Sequence, residues 1–142
     1  MMSCPAKHLS GLVLAAFALL APAAPSAAAE EKEFIVLQGG DDYRFHCVAC
    51  HGHDARGDGT MAKILAVPPA DLTGIAARNG GAFPFWRVYT IISGEMGMAG
   101  HQTFQMPGYW KRFERDEDKP GYLPAYLRIL LLTHYLASIQ AE

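Results

Sequence analysis

Cysteine is scarce in this chain: three residues in 142, of which Cys4 stands ahead of the first apolar stretch. A disulfide framework is therefore excluded. Cys47 and Cys50 are too close together for a bridge between them to constrain much of the unfolded chain. Lysine is sparse too, with only Lys32, Lys63, Lys111 and Lys119 beyond the N-terminal stretch, widely spread. No basic footprint for nucleic acid exists, and no ring of lysines. Alternation of the β-strand type is weak throughout, and no internal repeat is visible. The apolar run "GLVLAAFALLAPA" is broken by Pro22 and Pro25 too soon to span a bilayer comfortably.

That run has another use. Lys7 and His8 form a short basic head, and Ala27 and Ala29 occupy the −3 and −1 positions of a cleavage site. Together they read as a secretory signal peptide, residues 1–29, cut before Glu30. Cys4 precedes the apolar core, which argues against a lipoprotein acceptor. The remaining 113 residues, 30–142, suffice for one domain with a modest core and are too few for two. They hold eleven Lys and Arg (twelve less Lys7) against fourteen Asp and Glu, a net charge of −3.

Beyond the leader the pattern is helical. Asp41 is a good N-cap for a helix from the Gly39–Gly40–Asp41–Asp42 stretch to about His51, where Gly52 ends it. Residues 52–70, rich in Gly, Asp and Pro, predict a loop. "ADLTGIAARNGG" predicts a short helix. In "FPFWRVYTIISG", Phe85, Val88 and Ile92 recur at helical spacing up to Gly94. Residues 94–109 predict a second long loop, and "KRFERDEDKPG" a charged, solvated connector. Ile129, Leu132, Leu136 and Ile139 give the last helix, roughly 123–139, one apolar stripe. Short helices with two long loops need something at the centre to organise them. A large apolar group would do so.

The stretch "FHCVACHGHDARGDGT", residues 45–60, names that group. Cys47 and Cys50, at i and i+3, share one helix face. There they can reach the two vinyl groups along one side of a porphyrin, with His51 projecting over the ring. C-x-x-C-H is the attachment signature of c-type haem. A redox dithiol wants a preceding β-strand and a cysteine exposed at a helix start, neither of which is indicated. A structural zinc site wants four ligands, and no second paired ligand motif accompanies this one.

On these residues the chain resembles the class I mono-haem c-type cytochromes of the bacterial periplasm. The likeness covers "Y..HC.ACHG...RGDG", "PPADLT..A.RNGG.FP", "H....MP" and the final "YL.SIQ". It implies an all-α cytochrome c fold, with three to five helices and long loops around one covalently attached haem c. The first and last helices are expected to cross, and the iron to carry single electrons. The donor would be a dehydrogenase or a quinol-oxidising complex, and the acceptor an oxidase or reductase. The protein would be periplasmic, without a permanent anchor once the leader is removed. It would perform no bond-making chemistry, although it could serve as a subunit of a larger oxidoreductase.

His51 is then the proximal axial ligand of the iron. Candidates for the sixth position are Met61, Met96, Met98, Met106, His53, His101 and His134. Met106 is favoured because Pro107 restricts it to extended conformations that project a thioether inward. The likeness implies the same residue; Met96, Met98 and His101 remain alternatives. It also implies that a backbone carbonyl at Pro68 or Pro69 accepts the other N–H of His51. Gly52, Gly57 and Gly59 let backbone pass close to the ring or adopt positive φ. Arg78 with Asn79 can hydrogen-bond a propionate, while Trp86, Tyr89 and Trp110 suit pocket walls or core. The rival reading, a haem with an open sixth position binding gas or peroxide, needs the methionine absent or displaceable, and Met106–Pro107 argues against it.

Overall fold

The computed structural model describes residues 26–95 and 107–141. Among these residues every regular element is helical: α1 (Ala27–His46), α2 (Val48–His51), α3 (Ile75–Arg78), α4 (Phe85–Ser93), α5 (Trp110–Glu114) and α6 (Ala125–Ser138), with a 3₁₀ turn at Ala62–Ile64. None of these helices is long and apolar enough to cross a membrane.

The long helix α1 corrects the sequence-based start at Asp41. It begins in an Ala/Glu-rich stretch of strong helix formers and runs straight through Gly39 and Gly40. Those glycines are a contact surface, because both are buried under α6. A Cβ at Gly39 would lie 2.6 Å from the Leu131 carbonyl carbon and 2.8 Å from Tyr135 Cβ, so only glycine lets the two backbones meet. The cost of glycine inside a helix, about 1 kcal/mol, is offset by that closest approach. Tyr43, one turn on, packs its ring 5.3 Å from that of Tyr135 at the crossing of α1 and α6.

Helix α4 spans the expected residues and stops at Gly94 in the left-handed conformation (φ +88°). Helix α6 buries Ile129, Leu132 and Leu136 along the expected stripe. Against α1 and α4 these side chains join Tyr43, Val88 and Ile92 in one core.

The charged connector at residues 111–121 is solvated as expected at every position but two, the buried Phe113 and the half-buried Asp116, and it is not without structure. Part of it is α5, whose Phe113 is fully buried. The Arg128 guanidinium of α6 lies 3.8 Å from the Phe113 ring centroid, and Asp116 reaches the same arginine at 3.5 Å. Glu117 Oε1 accepts the Ala125 N–H at 2.5 Å, satisfying one of the free donors at the start of α6. The charges in this segment hide one aromatic anchor and two inward-reaching acids.

Candidate functional site

Cys47 ends α1 and begins α2, so C-x-x-C-H straddles a break in the helix. The turn continues across it: the Cys50 and His51 N–H groups both donate to the Cys47 carbonyl, at 3.1 and 2.9 Å. The two cysteines therefore stay one turn apart. Cys47 is buried and Cys50 half-buried, both as free thiols. Gly52 (φ +80°) then turns the chain away from α2, and Gly57 (φ +81°) does so again. Tyr43 donates its hydroxyl to the Gly52 carbonyl at 2.6 Å, tying this exit to α1.

His51 is 6% exposed, and its Nδ1 lies 3.0 Å from the Ala70 carbonyl oxygen. The expected acceptor, Pro68 or Pro69, is thus displaced by one residue. The Pro69 carbonyl instead lies against Gly57, where a Cβ would come within 3.1 Å of the Pro69 carbonyl carbon. With Nδ1 donating to a carbonyl, the neutral imidazole keeps its lone pair on Nε2. Burial pulls the His51 pKa below its ordinary value, and the Ala70 bond partly opposes this.

Cys47 and His51 both line a cavity of about 350 Å³ between α1, α4 and α6. Its walls are mainly apolar: Leu72, Ile75, Val88, Ile92, Leu132 and Leu136. A polar edge is supplied by Arg78, Asn79 and Arg87. Tyr109 closes another side, held by its hydroxyl bond to the His46 carbonyl at 2.7 Å. A mainly apolar concavity with a few convergent polar groups is the usual character of a cofactor site. Cys50 stands a turn outside the lining. Arg78 also donates to the Asp71 carbonyl, so it braces the loop as well as reaching the cavity.

Met96, Met98, His101 and Met106 lie outside the described residues. The flanks of their segment meet: a Cβ on Gly108 would fall 2.8 Å from Gly94 Cα, and the Tyr109 N–H donates to the Ile92 carbonyl at 2.8 Å. The chain thus leaves and rejoins the described fold at one point, beside two residues of the cavity wall. Of the other candidates, Met61 and His53 are exposed. His134 is exposed on α6, its ring 4.6 Å from that of Phe85 and tilted against it. None of the three lines the cavity.

Trp86 is 67% exposed and contributes nothing to the walls. Tyr89 and Trp110 both lie off the lining and pack against the core. Sequence reasoning passed over Ala70, Arg87 and Tyr109, and with them the apolar wall residues Leu72, Ile75 and Ile91. Tyr109 and Arg87 carried no signal beyond their residue type.

The chemistry of the thiols narrows what the arrangement can do. Burial, with Asp42 and Cys50 nearby, pushes the Cys47 thiol up to about 12. A redox dithiol requires the opposite, a thiolate stabilised at neutral pH. Among the described residues, no three His, Cys, Asp or Glu side chains converge as a zinc site would require. Comparison with family models, curated proteins and solved structures finds nothing that matches this chain.

Proposed function

We propose that this chain is a class I c-type cytochrome and works as a periplasmic one-electron carrier. Its partners are redox proteins: a dehydrogenase or quinol-oxidising complex as donor, an oxidase or reductase as acceptor. The observation that carries the reading is the placing of C-x-x-C-H. His51, with its Nδ1 committed to Ala70, and the Cys47 thiol open together onto an apolar cavity. Cys47 and Cys50 would hold haem c by thioethers, and the group would supply a ferrous–ferric couple there.

The chain's own groups then have separable tasks. His51 offers Nε2 as the proximal ligand, and the Ala70 carbonyl fixes its tautomer and ring angle. The side chains of Ile75, Val88, Ile92, Leu132 and Leu136 line the cavity and would keep water from the bound group. Arg78, Asn79 and Arg87 offer donors for the propionates at the polar edge. Met106, just before the segment that rejoins the fold at Gly108, would supply the second axial donor. A soft thioether there favours ferrous iron and raises the potential relative to a second histidine.

The test is the visible spectrum of the matured, reduced protein with and without carbon monoxide. Sharp c-type bands that ignore the gas are expected. Bands that shift on its addition would replace Met106 by an open site and favour gas or peroxide binding. No haem bands, despite co-expressed maturation machinery, would overturn the reading.

A further inference from the structure

The segment that supplies the Ala70 carbonyl has no regular structure, yet four successive carbonyls in it are engaged. Ala70 accepts from His51, and Asp71 from Arg78. Leu72 accepts from Gln140 Nε2 at 2.9 Å, and Thr73 from the Ala141 N–H at 2.9 Å. Two of these four partners lie just beyond α6. Gln140 does more: its Oε1 accepts the Ala76 N–H at 2.9 Å, and Nε2 is also within 2.6 Å of the Leu136 carbonyl. One side-chain amide thus joins the last turn of α6 to both ends of residues 72–76. On the other flank, the Leu72 N–H donates to the Ala55 carbonyl at 2.7 Å. Ala55 is fully buried in the loop that follows His51.

We propose that Gln140 is a positioning residue for His51. Held at Leu72 from both sides, the segment has little freedom two residues earlier, where Ala70 meets Nδ1. Gln140 fixes the carbonyl that orients the axial imidazole, and the orientation originates in α6, the helix whose Leu132 and Leu136 wall the same cavity. This inference rests on the cytochrome reading above. A carbonyl bond to the remote ring nitrogen makes the ligand more basic, which favours ferric iron. Loosening the bond therefore raises the midpoint potential.

The experiment compares wild type, Gln140→Ala and Gln140→Glu as haem-loaded proteins, with Leu131→Ala as control. Leu131 is buried, its backbone carbonyl lies against Gly39 of α1, and it lines no part of the cavity. Gln140→Glu keeps an acceptor for Ala76 and loses the donor to Leu72, so it reads the clamp should Gln140→Ala not fold. Potential, hydrogen exchange at His51 Nδ1 and thermal stability are measured on each. The expected result is an upward shift in potential in the Gln140 variants. Exchange should quicken there at least tenfold beyond what their lost stability accounts for. Leu131→Ala should lose stability without either change. Gln140 variants that shift no further than Leu131→Ala at equal stability overturn the proposal and leave the cytochrome reading standing. A wild-type protein without haem bands overturns both, and is recognised before any variant is compared.

Discussion

Replacing Asp42 by alanine isolates the strongest polar tie between the first and last helices. Asp42 accepts from Arg128 through both carboxylate oxygens, Nε to Oδ2 at 3.1 Å and Nη2 to Oδ1. The side chains are 16% and 6% exposed. Removing one member of a buried pair costs about 3–5 kcal/mol, because the other charge stays behind. Asp116 remains 3.5 Å from Arg128 Nη1 and softens the loss, so the low end, about 3 kcal/mol, is expected. For a domain of this size that is a fall of about 12 °C in Tm. Urea and thermal unfolding of the haem-loaded protein at neutral pH give the number. The double variant Asp42→Ala/Arg128→Met should recover part of the loss, since an apolar replacement no longer strands a charge. A single variant within about 1 kcal/mol of wild type, or a double variant no better than the single, would refute this account of the crossing.

Three further outcomes are expected. Gly39→Ala should destabilise by about 1–3 kcal/mol or more through overpacking, since its methyl would overlap Leu131 and Tyr135; a thermal melt checks this. Cys47→Ser with Cys50→Ser should abolish haem staining on a denaturing gel, where covalent attachment alone retains the group. Acid should weaken the fold through His46. Burial, and after it the Arg112 cation, hold that imidazole below its ordinary value of 6.5. The unfolded chain takes a proton that the folded chain resists, so this contribution is full above pH 6.5 and declines as pH falls below it. Urea midpoints between pH 7 and 5 should fall less steeply in His46→Gln than in wild type.

The elements legible in the sequence are those whose signal is local. Periodic apolar positions gave α4 and the stripe of α6, and the spacing of Cys47, Cys50 and His51 gave one end of the site. What stayed hidden depends on partners far along the chain. Gly39–Gly40 reads locally as a helix boundary, and only the presence of Leu131 across the gap makes it a crossing point. Phe113 is buried within a charged run because Arg128 covers it, and neither residue announces the other. The resemblance implied an acceptor for His51 at Pro68 or Pro69, and that Ala70 supplies it instead depends on where Gly57 lets the loop pass. Gln140 sits where a helix is ending and looks like solvent-facing polarity. Its value comes from backbone groups 64 and 68 residues away.

The crossing of α1 and α6 also sets an order of events during folding. Asp42 and Arg128 are separated by 86 residues, so the core cannot close until the two have met. Contacts of such long span slow folding. Until α6 arrives, Tyr43 and Cys47 lack the neighbours that bury them, and both thiols stay open to solvent and to any enzyme that would modify them. Docking of α6 is therefore the event that shuts Cys47 away, while Cys50 keeps part of its surface in the finished fold.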